Sequence, residues 1–174
     1  MRDLVAALVA LGLLGAALSL ATTLHVWKRR RQRLHDAERA LGRVIVAEIP
    51  VGDELMLFSA DADRFYYGDR AIDKESIAAA RVLINGSPIA AILSSRHPRE
   101  ADRHPTSFED RPEGIARDRW DVAIETTWGT VLVECGAIRE RISQELARAV
   151  FDAVKRDVEE RNRIGSSQFT ILFL

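Results

Sequence analysis

The stretch GTVLVECGAIRERISQELARAV, Gly129 to Val150, holds the chain's single cysteine and a change of period. Up to Cys135 the residues alternate. Val131, Val133 and Cys135 share one face and Leu132 and Glu134 the other, the two-residue repeat of a half-buried strand. From Ser143 the repeat lengthens. Leu146, Ala149, Val150, Ala153, Val154 and Val158 fall on one stripe of a helix, with Arg148, Lys155, Arg156 and Glu159 mostly outside it. Ser143 is the expected N-cap, and Asn162 and Gly165 bracket the expected end. Cys135 then has two readings. A helix N-terminus with Arg139 and Arg141 nearby would lower a thiol pKa and make a nucleophile. The alternation instead puts the sulfur on the inner face, about eight residues before the cap, and His25 and His35 stand beside the apolar N-terminal run. The buried apolar role is the better reading.

Working upstream, RWDVAIETTWGTVLVECG reads as a hairpin, with Trp120, Val122 and Ile124 inward and Asp121, Ala123 and Glu125 toward water. RVLINGSPIAAILSS carries Asn85-Gly86 between apolar runs, the strongest short hairpin signal in the chain. Before it, DKESIAAA is compatible with a short helix capped by Asp73 or Ser76. RVIVAEIP, ELMLFS and RFYYG read as a meander. The expected strands are 43–49, 54–59, 64–68, 81–85, 88–93, 120–126 and 130–135. Residues 95–118, SRHPREADRHPTSFEDRPEGIARD, are a long loop with three prolines, dense charge and little to bury.

Seven strands followed by one amphipathic helix resemble a pleckstrin-homology-like domain, and the last hairpin and helix resemble those of small bacterial members. The resemblance covers roughly residues 43–163. It implies a seven-stranded antiparallel sheet or barrel closed by a C-terminal helix, so that the expected fold is α+β, preceded by the N-terminal transmembrane helix that the apolar run described next suggests. Two departures weigh against inositol-lipid recognition. The first hairpin loop is Pro50-Val51-Gly52-Asp53, without basic residues, and 144–163 lacks the tryptophan of eukaryotic members.

Leu4 to Leu24, LVAALVALGLLGAALSLATTL, has no charged residue and as a helix would span ~30 Å, one hydrocarbon core. HVWKRRRQR follows. Trp27 suits the interfacial belt, and Lys28, Arg29, Arg30, Arg31 and Arg33 resist translocation, which places the N-terminus outside and the rest in the cytoplasm, at the inner membrane. The charge follows the apolar run rather than preceding it, unlike a cleaved signal peptide. Gly12 and Ala16 are spaced for close packing against another helix. The expected organisation is an anchor over 1–27, a basic helical stem over 28–42, the domain over 43–164 and a hydrophobic tail over 165–174.

Charge separates the two halves. Residues 1–43 hold 8 Lys and Arg against 3 Asp and Glu, and residues 44–174 hold 17 against 23. The acidic globular part excludes nucleic acid, whose phosphates need a basic footprint. The basic stem would lie against anionic lipid headgroups. Of the 25 basic residues 22 are Arg, a bias of GC-rich bacterial genomes. One cysteine excludes an internal disulfide framework.

No nucleotide-binding, hydrolase, zinc-peptidase or C-x-x-C motif occurs. His97, Glu100, Asp102 and His104 lie together in sequence, but in a proline-broken loop without standard ligand spacing. Asp61/Asp63 and Glu109/Asp110 fall in turns. Neither cofactor, metal nor small-molecule substrate is implied, and no enzyme is expected. The tail QFTILFL is β-prone and uncharged. Phe169, Ile171, Leu172, Phe173 and Leu174 need cover, from an eighth strand of the same sheet, a partner's sheet edge or groove, or a carboxylate-binding pocket. The expected function is a non-catalytic, membrane-anchored interaction module, an accessory or assembly subunit of a larger membrane complex whose other subunits are its partners. The rivals are a sensor of anionic lipid and a Cys135-dependent enzyme.

Overall fold

The computed structural model describes residues 12, 13, 19, 25, 28–52, 54–98 and 118–171, the last seven of these through their backbone alone. The chain divides into two compact units, 1–42 and 43–174. In the first, residues 28–40 are helical (α1) and a turn follows at 41 and 42. Gly42, with φ +72°, ends it in the left-handed conformation that suits a helix stop.

The second unit has, among the described residues, eight strands and one long helix. They are β1 (Val44–Val51), β2 (Glu54–Ala60), β3 (Arg64–Tyr67), β4 (Arg70–Asp73), β5 (Ile77–Ile84), β6 (Ser87–Leu93), β7 (Arg119–Thr126), β8 (Gly129–Ala137) and α2 (Arg141–Ile171). They form two antiparallel four-stranded sheets, in the orders β1-β2-β3-β4 and β6-β5-β7-β8. Two sheets with a closing helix are compatible with a pleckstrin-homology-like architecture.

The inner faces meet in one core. Ile49, Phe58, Phe65 and Ile72 come from the first sheet, Ala80, Val82, Val122, Ile124, Val133 and Cys135 from the second, and Ala147, Val150, Phe151, Val154 and Val158 from α2. Phe58 and Phe65 stack with ring centroids 5.6 Å apart. The Tyr67 hydroxyl accepts the Glu134 N–H at 3.4 Å, stitching β3 to β8. Gly136 (φ +112°) has no room for a side chain, since a Cβ there would lie 2.6 Å from Ser143 Oγ. That close approach sets how tightly α2 follows β8.

The seven-strand expectation is corrected to eight strands in two sheets. The extra one is β4, only four residues long and directly after the Gly68 turn. DKESIAAA is not a helix. It makes a single 3-10 turn at Lys74–Ser76 and then enters β5. Its alanines are buried because β5 lies between β6 and β7 and is covered on both faces. The membrane-spanning part of the expected fold is likewise uncorroborated. Among the described residues no helix is long and apolar enough to cross a membrane. Of residues 4–24 only Gly12, Leu13 and Ser19 are described. Finally, the helix does not stop at Gly165. It runs on through Ile171, where the helix was expected to end and a β-prone tail to follow. Ser143 lies inside its first turn rather than at its cap.

The outer face of β7 also departs from expectation. Asp121 and Glu125 do not meet water; they are 2% and 7% exposed. Arg119 Nε pairs with Asp121 at 2.9 Å, Arg119 also reaches Glu134 at 2.9 Å, and Arg81 pairs with Glu125 at 2.7 Å. Burial opposes the Arg119 charge, but hydrogen bonds to Glu134 and Asp121 outweigh it and hold the guanidinium pKa above its usual value. Charge pairing across a central strand lets these polar residues be buried.

A candidate interaction edge

Asn85-Gly86 turns the chain from β5 into β6 with φ +52° and +80°, the doubly left-handed turn that suits a two-residue hairpin. Asn85 also anchors the neighbouring strand. Its backbone N–H donates to Arg119 O at 3.2 Å, and its Oδ1 accepts the N–H of Arg119 at 3.1 Å and that of Asp118. The turn therefore leads into β6, the border strand of its sheet, and is tied at its base to the start of β7.

β6 reads SPIAAIL and carries no charge. Ile92 alone is partly buried; Ile89 is 57% exposed and Leu93 45%. On one side it pairs with β5, and among the described residues no strand pairs with the other side. One group from α2 reaches that free side. The Asn162 side-chain amide donates to Leu93 O at 3.1 Å and accepts from Ser95 N at 2.9 Å and Ser95 Oγ at 2.8 Å. It does for the strand's end what a neighbouring peptide unit would do, accepting and donating at once. The edge before Leu93 has no such cover.

The other borders are different. β4 is four residues long and bears Arg70 and Asp73, and β8 lies beside β1. Short or charged edges resist strand addition; a long uncharged one invites it.

An open cleft of about 500 Å³ is lined by Asp61, Asp63, Arg64, Tyr66, Asp73, Glu75 and Arg161. Its charges are engaged with one another. Asp61 Oδ1 accepts the N–H groups of Asp63 and Arg64 at 2.9 and 2.7 Å, and its Oδ2 accepts the Tyr66 hydroxyl at 2.7 Å. The Tyr66 bond foremost, then the two backbone bonds, hold the Asp61 pKa below the usual range, and the same contact raises that of Tyr66. Arg161 bridges Glu75 at 3.0 Å and Asp157 at 2.9 Å, and Lys74 meets Asp157 at 3.3 Å. The cluster ties the β2–β3 turn and the 3-10 turn to α2.

Cys135 is fully buried and its Sγ faces Val133 O at 3.6 Å. Burial, and secondly the Asp121 charge, push its pKa up to about 12. Roughly one thiol in 100,000 is then ionised at neutral pH, against the requirement of a cysteine nucleophile. His97 Nε2 contacts Glu75 O at 2.8 Å, while Glu100, Asp102 and His104 lie outside the described residues. Among the described residues no three metal-ligating side chains gather.

The remaining sequence-expected sites fall as follows. Lys28, Arg29, Arg30, Arg31 and Arg33 are exposed on α1, and Gly12 is helical and exposed. Trp27, Ala16, Leu172, Phe173 and Leu174 lie outside the described residues, and Phe169 and Ile171 are described as helix backbone only. Sequence reasoning passed over β6. The signal was the uncharged run Ser87–Leu93 after the Asn85-Gly86 turn, but β5 is as apolar, and composition does not tell a border strand from a central one.

Comparison with protein-family models, with curated proteins and with solved structures finds no match.

Proposed function

We propose that this chain is a non-catalytic interaction module held at a membrane, an accessory or assembly subunit of a larger membrane protein complex. The observation that carries the reading is the β6 edge: seven residues without charge, with Ile89 and Leu93 exposed, on an otherwise ion-paired domain. Such an edge takes up a strand from another polypeptide through main-chain hydrogen bonds. The burial and raised pKa of Cys135 speak against the enzyme alternative. The pleckstrin-homology-like resemblance adds a scaffold that commonly hosts recognition rather than chemistry, with one strand more than that pattern. The apolar run Leu4–Leu24 supplies the membrane attachment, and the positive charges after it put the domain on the cytoplasmic side of the inner membrane.

The test is purification of the tagged full chain from mildly solubilised membranes. Ile89→Lys is expected to lose co-purifying subunits, whereas Ile142→Lys, at another exposed apolar residue on α2, keeps them. Equal recovery with both variants would remove β6 from the reading. Deleting 168–174 examines the tail in the same assay: loss of subunits with membrane attachment intact would assign it a share of the contact.

A second contact rests on α1, whose Lys28, Arg29, Arg30, Arg31 and Arg33 are exposed. Anionic headgroups would attract them at roughly 1 kcal/mol per charge near the surface. Vesicle binding of residues 28–174 should rise with the anionic lipid fraction and fall with added salt.

A further inference from the structure

We propose that one end of the second unit rests on the lipid bilayer, touching it with Trp128 and with the last turns of α2. The proposal rests on the membrane attachment inferred above and adds which end of the domain meets the lipid.

Strand register gathers several segments at this end. Val44, where the chain enters β1, pairs with Ala60 of β2. The β2–β3 turn beyond Ala60 is joined to the 3-10 turn, since Lys74 N–H donates to Asp63 O at 3.0 Å. Ser76 O accepts the Thr127 N–H at 2.9 Å, which brings in the Trp128-Gly129 turn between β7 and β8. α2 starts at the opposite end, after Ala137, and arrives here with Arg161 on Glu75 and Asn162 on Leu93 and Ser95. Its residues 163–171 continue past these contacts and span ~14 Å.

Exposed apolar side chains collect at the same end. Outside the first unit, six large ones are exposed among the described residues, and Val44, Leu93, Trp128 and Ile164 are four of them. Trp128 is 63% exposed at the tip of its hairpin. An indole so placed suits the headgroup layer, where the ring meets the acyl boundary and its N–H meets water. Charge stops where α2 overhangs. Arg163 is the last charged side chain, and Ile164 to Leu174 carry none. A helix end without charge enters the interface without the desolvation penalty that Lys, Arg, Asp or Glu would bring.

The chain itself names the occupant. Arg43 is joined through residues 41 and 42 to α1, ~20 Å of helix, and α1 leads back to the apolar run Leu4–Leu24. The bilayer that this run enters is therefore tethered to the end with Trp128. The β1–β2 loop, the Asn85-Gly86 turn and the start of α2 lie at the other end. Acidic groups near Trp128 do not oppose the approach, because they are engaged: Asp61 with Tyr66, Asp73 with Arg64, and Glu75 with Arg96 and Arg161. The contact is apolar, unlike the electrostatic one that α1 offers.

The test uses the full chain in phosphatidylcholine vesicles. A polarity-sensitive fluorophore is attached to Trp128→Cys, to Gln168→Cys or, at the opposite end, to exposed Arg139→Cys. Native Cys135, being buried, stays unlabelled. Phosphatidylcholine with a nitroxide high on its acyl chain is the quencher. Labels at 128 and 168 should lose most of their emission and the label at 139 should keep its own, with the same result in high salt. Equal quenching at all three positions would overturn the proposal, as would quenching that appears only with anionic lipid. Shielding of 128 and 168 in native membranes but not in pure lipid would give this end to a protein partner and overturn it too. If the chain enters the vesicles and neither label is quenched, this proposal fails while the membrane attachment stands. A chain that does not enter them refutes both.

Discussion

Replacing Asn162 by Ala removes a side chain that touches β6 only through its amide. Three hydrogen bonds disappear, to Leu93 O, Ser95 N and Ser95 Oγ. Each contributes about 0.5–1.5 kcal/mol net, and because the site is partly exposed, water replaces some of what is lost. The expected destabilisation is about 1–3 kcal/mol, taking the sum near the lower end of that range. Urea unfolding followed by tryptophan fluorescence should show a lower midpoint with an unchanged slope, since the surface exposed on unfolding is the same. Hydrogen exchange localises the effect. The Ser95 amide should exchange roughly 30-fold faster, the factor that about 2 kcal/mol gives, while Ala80 and Val82 change only with global stability. Asn162→Asp is the sharper variant. A carboxylate still accepts from Ser95 but cannot donate to Leu93 O and faces it with negative charge, so the Leu93 end should loosen while the Ser95 amide stays protected. If Asn162→Ala moves neither the urea midpoint nor the Ser95 amide, the amide does not cap the edge, and the boundary assigned to the open part of β6 falls with it.

Two further expectations concern the core. Gly136→Ala forces a Cβ to within 2.6 Å of Ser143 Oγ at φ +112°, and should cost about 1–3 kcal/mol in denaturant unfolding. Shortening Ser143 to Ala in the same chain should recover part of that. The Cys135 thiol titrates near 12 when folded and near 9 when exposed. A raised folded pKa means that its contribution is complete below about pH 9 and is lost as pH rises toward 12. Stability should therefore fall over that window, with a shallower fall in Cys135→Ala, and a slope identical in the two proteins would refute the burial argument.

How much was legible in the sequence depended on whether one residue pattern had one physical solution. Asn85-Gly86 did, because few pairs accept two left-handed residues in a row, and the hairpin is where it was expected. The alternation of Val131, Val133 and Cys135 did too, and the sulfur lies in the core. The helical stripe was recognised with its centre displaced: Ala147 and Phe151, not Ala149, complete the buried line with Val150, Val154 and Val158. Ile77–Ala80 did not have one solution. Alanine suits a helix and equally suits the middle of a sheet, and only the neighbours β6 and β7 decide. β4 was too short to show a period.

Asp121 and Glu125 were read as solvent-facing because they alternate with the inward Trp120, Val122 and Ile124, and an alternating strand commonly has one wet face. Arg119, two residues before Asp121 on the same strand, was a partner the local pattern offered, whereas Arg81 reaches Glu125 from β5 only through the ladder. The tail was read as β-prone on composition, with its cover left open between its own sheet, a partner's edge or groove and a carboxylate-binding pocket, whereas the helix started at Arg141 continues through Ile171. The candidate site was least legible of all, since whether β6 has a neighbour is a property of the strand order alone.

The central claim is that this chain works through a surface and not through a reactive group. Complementation of a strain lacking the protein tests it most directly, with expression and membrane attachment matched by immunoblot. Ile89→Lys, on the β6 edge, should fail to restore function, and Cys135→Ala should restore it fully. Restoration by Ile89→Lys together with failure of a folded Cys135→Ala would contradict the account.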